Sequence, residues 1–475
     1  MNFENKKVFI APHTPRTTMF QNALKDKFEN IEVLGFLDNF KEEKGILKPN
    51  DLDESFSYDY ILILSQNHFE PIYKEYKKLF PLKKIIKVDI KNEEYFFFDW
   101  KDIFLDKIKS IPQNIKLFSY KLMIKTFDLF SRKKIVFLSR SFISSNNKAL
   151  YIDCLKKKMD VIILTDNNGQ LQTLRDLNFP CAKLNSFISY FYLATAKNVI
   201  IDQGNSIYYL PYLSEKQKTI QLWHGVPLKR MNKLIGYKYD YFVGTSNFVN
   251  ETSLGKVVQA YEYKDYGYPR NDLLTKEHDE LDLLFCDKKL YELSKNNKII
   301  VYMPTHRESR NDVPIDFKQL NKKMKELNCY FIVKFHPFVI QFYEEVVNSK
   351  EYSNILFHSI HGDIYPLLKY TDILISDYSS IYFDFLFVDK PLIFFDYDRK
   401  EYEDNIKGFV YSYDEYAPGK KVQSQNDLEK EIEDILKGND LFKEDREKSL
   451  EKFFTHKDND SSKRIVKYLL ENNEK

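Results

Sequence analysis

A chain of 475 residues with 43% hydrophobic content can bury more than one core, and ordinary domain sizes suggest roughly three units. Its 72 basic and 70 acidic side chains leave a net charge of +2, so charge supplies no global attraction to nucleic acid, and none is expected as a partner. Four separated cysteines, Cys154, Cys181, Cys286 and Cys329, form no CxxC pair, which argues against a zinc site or a disulfide framework and fits a reducing cytoplasm.

The first stretch reads as a small Rossmann-like α/β unit over residues 1–112, with strands at 7–11, 31–36, 60–65 and 84–88 and a helix at 18–28. The turn Ala11-Pro12-His13-Thr14-Pro15-Arg16 has no glycine, so its backbone cannot approach a pyrophosphate as a dinucleotide-binding turn does. A structural or docking role is expected, with His13 and Arg16 as candidate contacts for an anion. Between 115 and 138, Ile115, Phe118, Leu122, Met123 and Phe130 fall near helical spacing among Lys116, Lys121, Lys125, Arg132 and Lys133. Such a helix either packs between domains or lies on an anionic membrane through residues 115–133. No run of about 18 apolar residues occurs, and no signal peptide or spanning helix is expected.

A second α/β unit spans 113–290, with strands at 135–139, 161–165, 199–202, 220–223 and 241–244 and helices at 148–158 and 279–295. The third, 291–475, alternates strands at 299–303, 330–335, 355–357, 373–375 and 392–395 with helices at 317–327, 340–348, 363–370 and 380–387. Alternation of this type calls for a parallel sheet with right-handed crossovers. The strand ends then carry Thr305-His306-Arg307, His336-Pro337, His358, Ser376-Asp377 and Asp396, where a doubly wound sheet places its ligand. A final helix near 462–472, with Ser461 or Ser462 as N-cap, is expected, and by analogy with other paired α/β domains it crosses back over the second unit.

Two histidines follow apolar runs: His224 in Gln221-Leu222-Trp223-His224-Gly225-Val226-Pro227-Leu228-Lys229, and His336 in Val333-Lys334-Phe335-His336-Pro337. A third segment is Ser376-Asp377-Tyr378-Ser379-Ser380 with Asp384 following. Gly267-Tyr268-Pro269-Arg270-Asn271-Asp272 and Pro304-Thr305-His306-Arg307 complete the set. In this order the segments resemble the CDP-glycerol glycerophosphotransferase family, the polymerases and primases of teichoic acid and related capsule polymers. The likeness runs from about Lys133 to the C-terminus.

The resemblance implies an α/β fold of GT-B type: two Rossmann-like domains facing a cleft, acceptor side at 113–290 and donor-binding side at 291–475, preceded by the small N-terminal domain. It implies transfer of glycerol phosphate from CDP-glycerol to a hydroxyl of an anionic polymer or glycolipid acceptor, with release of CMP. The setting would be cell-envelope polymer synthesis at the inner face of the membrane. It also implies that His224 is the general base, a role suited to an imidazole with an ordinary pKa of about 6.5. His306 stands where the family usually has Trp or Tyr.

Chemistry suggests partners for the remaining groups. His336, Arg307 and Lys334 could neutralise charge on the departing nucleotide. Ser379 and Ser380, with Ser376, lie where a strand turns into a helix and could meet phosphate, while Asp384 would repel phosphate and suits a polyol hydroxyl. Lys229, Arg270 and Asn271 are candidate acceptor or loop contacts. No carboxylate or histidine pair has metal-ligand spacing, so chemistry without metal or cofactor is expected. The alternatives are a CDP-ribitol ribitolphosphotransferase, a GT-B glycosyltransferase using a nucleotide sugar, and a non-catalytic nucleotide-binding scaffold.

Overall fold

The computed structural model describes the chain except residues 1–2, 42, 53–55, 66–68, 92–93, 131–132, 205–209, 211–212, 235–236, 306, 308–312, 337–338, 350, 406–407 and 472–475; side chains at 91, 94, 104–117, 341, 345 and 348 are likewise not described. The chain divides into two compact units, Met1–Phe118 and Ser119–Lys475. Helix Trp100–Phe127 runs through the boundary, so the helical pattern read up to 138 ends earlier, and Lys134 already opens a buried strand.

The first unit holds β1 (Lys7–Ala11), β2 (Glu32–Leu37), β3 (Ile46–Leu47), β4 (Tyr60–Ile63), β5 (Ile85–Lys91) and β6 (Glu94–Phe98), in the order β3-β2-β1-β4-β5-β6. Only β6 runs antiparallel to its neighbour, which caps the edge of an otherwise parallel sheet. Phe3, Phe20 and Leu62 pack on one face, and Phe9, Tyr73 and Tyr76 on the other. The helix after β1 is Pro15–Lys27 and begins before the expected residue 18. Thr14 accepts from the Thr17 N–H as N-cap, and Pro15 supplies a φ already suited to the first turn.

The second unit contains two parallel sheets. The first lobe is built on β7 (Lys134–Leu138), β8 (Val161–Thr165), β9 (Cys181–Lys183), β10 (Ala196–Ile201), β11 (Lys218–Gln221), β12 (Lys238–Val243) and β13 (Gln259–Lys264), ordered β13-β12-β11-β10-β7-β8-β9. The second is built on β14 (Lys298–Tyr302), β15 (Cys329–Val333), β16 (Ile355–Phe357), β17 (Ile373–Ser376), β18 (Leu392–Phe395) and β19 (Lys420–Val422), ordered β16-β15-β14-β17-β18-β19. Central strands such as Ile299–Val301 and Leu392–Phe395 are apolar along their length because helices cover both faces of each sheet.

Between the lobes the expected helix 279–295 is shorter, Lys288–Asn296. The Asp287 carboxylate accepts from the Lys289 and Leu290 N–H groups and so starts the helix there. The terminal helix Ser461–Glu471 does return to the first lobe, where Ile465, Val466 and Leu469 join the core of Phe137, Leu150 and Ile220. Its cap comes from afar: the Asp272 carboxylate accepts from the N–H groups of Ser461 at 3.0 Å and Ser462 at 2.8 Å. Asp272, the last residue of the Gly267–Asp272 motif, therefore has a structural task.

Two buried ion pairs also tie the lobes together. Lys148 of helix Asn146–Lys156 meets Asp363 at 2.5 Å, and Arg270 meets Asp384 at 2.6 Å, with all four side chains at most 9% exposed. Ser144 Oγ donates to the second Asp363 oxygen at 2.8 Å.

Candidate active site

In each lobe the strand order reverses at one point, between β7 and β10 in the first and between β14 and β17 in the second. Loops leaving neighbouring strands diverge at such a point and open a crevice at the carboxyl ends. A cavity of about 720 Å³ opens beside this point of the second lobe and is walled from the first lobe by the loop Trp223–Lys229 after β11. The second lobe contributes Met303–Thr305 after β14, Lys334–His336 after β15 and Tyr378–Ser380 after β17. The volume suits a nucleotide-sized ligand. Its described lining includes Lys229, Lys334, His224, His336, Thr305, Ser379 and Ser380 and no carboxylate. Such a wall favours an anion.

The orientation of His224 is fixed by its own lobe. Its Nδ1 lies 2.9 Å from the backbone carbonyl of Asp202, just past β10. A carbonyl only accepts, so Nδ1 carries the hydrogen and Nε2 keeps its lone pair. Burial lowers the pKa of the ring, the Asp202 hydrogen bond opposes this, and the nearby Arg270 charge lowers it further. The net shift is downward, which leaves a neutral base at pH 7. Trp223 stacks on the ring at 4.5 Å and sits in the left-handed region with φ 54°. Gln221 Oε1 accepts from the Trp223 N–H at 2.9 Å and Asn146 Nδ2 donates to its carbonyl at 2.8 Å, so surrounding hydrogen bonds hold the strained turn.

Across the cavity, His336 is exposed to the opening. Lys334 sits behind it, and its ammonium donates to the carbonyls of Ser359 and Gly362, each at 3.0 Å. Burial pulls the Lys334 pKa down to about 8, with Asp363 pushing the other way, so it remains mostly charged at pH 7. Its neighbour His358, lowered to about 4 by burial and then by Lys334, is neutral. Ser379 and Ser380 are both part-exposed on the wall. Lys229 also lines the cavity, with its ammonium 5.0 Å from the Tyr402 ring centre.

Three residues expected to touch the donor are placed elsewhere. Arg307 is 5% exposed, and its guanidinium donates to Asp377 at 2.5 Å and to both oxygens of Asp398 at 2.8 and 3.0 Å. A fork already filled by two carboxylates stiffens the switch point, where Asp377 also takes the Thr305 N–H at 2.9 Å, rather than binding pyrophosphate. Asp384 is fully buried and accepts from Arg270 and from the Tyr365 hydroxyl at 2.7 Å, so a polyol contact is replaced by a link between lobes. Ser376 is buried and donates to the Met303 carbonyl at 3.3 Å. Arg270 and Asn271 are buried in the 3-10 turn Pro269–Leu274 and do not line the cavity. His306 lies outside the described residues.

Asp202, Asn146 and Gln221 were not singled out from the sequence. Asp202 ends an apolar strand, the same signal that drew attention to His224, and Asn146 opens a helix immediately after β7. Burial raises the Asp202 carboxyl to about 7, against hydrogen bonds from the Asn147 N–H and Ser145 and the Arg270 charge.

The family described as CDP-glycerol:poly(glycerophosphate) glycerophosphotransferase matches residues 119–471. The teichoic acid poly(glycerol phosphate) polymerase of Bacillus spizizenii is 26% identical over 393 residues, covering 74% of this chain and 96% of that protein. The teichoic acid ribitol-phosphate polymerase TarL of Staphylococcus aureus is 26% identical over 394 residues, 75% of this chain and 66% of that protein. The solved structure of the wall teichoic acid polymerase TagF shares the fold with a TM-score of 0.63 at 22% identity, over 78% of this chain and 97% of that one. With both lobes and every wall of the cavity inside the matched region, the chain belongs to the CDP-glycerol:poly(glycerophosphate) glycerophosphotransferase family.

Proposed function

We propose that this protein transfers glycerol phosphate from CDP-glycerol to a hydroxyl of a teichoic-acid-like or capsular acceptor. The observation that carries the reading is a cavity wall without a carboxylate among its described residues, on which a neutral imidazole from one lobe faces cationic and hydroxyl groups from the other. The acceptor hydroxyl gives its proton to His224 Nε2 as its oxygen attacks the β-phosphorus. The bond from that phosphorus to the bridging oxygen breaks, and CMP departs with the electron pair. Lys334 and His336 reduce the charge that develops on the leaving phosphate, and the Ser379–Ser380 turn offers it hydroxyl donors. Lys229, on the acceptor side, attracts an anionic polymer.

Incubation with CDP-glycerol, CDP-ribitol and a nucleotide sugar, each with a polyol-phosphate acceptor and in excess EDTA, tests the reading by the nucleotide released. CMP from CDP-glycerol is expected. CMP from CDP-ribitol alone would favour the ribitol reading, to which the TarL likeness lends weight. Tight donor binding without any release would favour a scaffold.

The same reading places the protein at the inner face of the membrane. Among the described residues no helix is long and apolar enough to cross a membrane. The second unit nonetheless exposes Leu122, Leu129, Phe130, Phe187, Ile188 and Phe191, and Phe127, at the end of helix Trp100–Phe127, meets Phe191 of helix Phe187–Thr195 at 5.5 Å. Exposed Lys121 and Lys125 flank this apolar surface, a pairing suited to anionic lipid. Flotation with vesicles containing anionic lipid is expected to recover the protein, and Lys121→Glu with Lys125→Glu to abolish recovery.

A further inference from the structure

A side chain on the glycine that follows His224 would crowd the groups that meet there. A Cβ at Gly225 would stand 2.8 Å from Ser380 Oγ and 3.2 Å from an Arg270 guanidinium nitrogen, and its φ of +140° disfavours any other residue. The three meet from separate parts of the fold: the loop after β11, the turn Pro269–Leu274 and the turn after β17. That guanidinium donates to Asp384 at 2.6 Å, and Asp384 lies one helical turn beyond Ser380. The Tyr365 hydroxyl donates to the same Asp384 oxygen, and its ring centre lies 4.9 Å from the guanidinium carbon. On its other side the Arg270 N–H donates to Asn146 Oδ1 at 3.2 Å, and Asn146 holds the carbonyl of Trp223, the residue before the base.

We propose that the buried Arg270–Asp384 pair is the positioning unit of this site: it fixes the loop carrying His224 against the Ser379–Ser380 turn and so sets the separation between base and donor phosphate. The inference rests on His224 being the base. Neither Arg270 nor Asp384 lines the cavity, so neither acts on the donor directly. Burying an ion pair brings little net stability, and a fixed geometry is the return for keeping one. Transfer to an acceptor demands that geometry, since a displacement of about 1 Å can cost 10²-fold in rate.

The pair has an electrostatic consequence too. The groups around His224 are Asp202 behind it, Arg270 beside it, and Lys229, Lys334 and His336 on the cavity wall. Arg270 is the cation that lowers the His224 pKa, after burial itself. Removing it would raise the imidazole midpoint as well as loosen the loop.

The test uses Arg270→Gln, Arg270→Lys and Gly225→Ala in the full chain, with calorimetric CDP-glycerol binding, kcat, and titration of the His224 ring by NMR on histidine-labelled protein. Arg270→Gln is expected to lower kcat at least 30-fold, change the donor Kd less than threefold and move the His224 midpoint upward. Arg270→Lys should return the midpoint towards wild type while restoring only part of kcat. If Arg270→Gln does not fold, Gly225→Ala carries the test, since it keeps the ion pair while its methyl crowds Ser380 and Arg270 and its φ of +140° disfavours the loop's present path. A folded Arg270→Gln or Gly225→Ala variant with kcat within threefold of wild type overturns the inference, as does a loss confined to donor Kd. The ring titration needs no substrate, so an unmoved midpoint in Arg270→Gln also overturns it. A wild-type protein that releases no CMP while the midpoint shifts as expected counts against the proposed donor alone.

Discussion

Replacing His224 with alanine is expected to lower turnover by about 10²–10⁴-fold, the usual contribution of a general base, while CDP-glycerol binds nearly as before. The separation follows from which lobe carries which task. On the proposed reading the donor's phosphates would meet Lys334, His336, Ser379 and Ser380, which line the cavity from the second lobe, whereas the proposed proton acceptor belongs to the loop after β11. Single-turnover rates and calorimetry on the variant check both halves, and lost donor binding with unchanged chemistry would contradict the assignment. The wild-type pH profile offers a second check. Because the His224 pKa is lowered, the active neutral form persists below the ordinary value of 6.5, so kcat/KM should hold down to that pH and fall only as acid protonates the ring. Arg270→Gln should bring the fall to higher pH.

Lys148→Met is expected to destabilise the second unit by about 3–5 kcal/mol, because it strands the Asp363 carboxylate at a site with no exposure. In the native protein burial pushes the Asp363 pKa up, but the Lys148 charge and the hydrogen bonds from Lys148, the Tyr365 N–H and Ser144 outweigh it and hold it below the usual value. A depressed carboxyl adds stability above its unfolded pKa, and this is lost as pH falls through the lower folded one. Without the ammonium, burial would dominate and the sign would reverse: the folded pKa would lie above the unfolded one. The penalty of the variant should therefore be smaller at pH 5 than at pH 7.5. Urea unfolding of both proteins at the two pH values reads this directly, and an equal penalty at both would show that Asp363 has found another counter-charge.

Much of this architecture was legible in the chain because parallel strands covered on both faces leave long apolar runs, and Ile299–Met303 or Leu392–Phe395 can hardly be read otherwise. The strands that escaped notice are β3, β6, β9, β13 and β19, which lie at or beside sheet edges and are short or mixed in polarity. Edge strands lack one neighbour, and their sequences carry less of the signal. At the site, His224, His336, Lys334 and the two serines were visible because a polar residue directly after a buried strand has few places to go. Arg307, in the loop after β14, and Asp384, one helical turn beyond Ser380, were visible too but their tasks were not. Whether such a charged group faces a ligand or a partner depends on Asp377, Asp398 and Arg270, which stand 70, 91 and 114 positions away. Nothing local encodes such a partner. The same distance hid Asn146, whose amide steadies Trp223 from 77 residues upstream.

The last helix bears on how this protein reaches its native state during synthesis. Ile465, Val466 and Leu469 complete a core whose other members begin at Ile135, so a ribosome must deliver some three hundred further residues before that lobe can close. Until then the nascent first lobe presents an unfilled apolar seam, and the second lobe, all of whose strands are already made, can fold ahead of it. A message cut short shortly before Ser461 would leave that seam open for good, yielding a chain with an intact second lobe and a sticky, protease-sensitive first one.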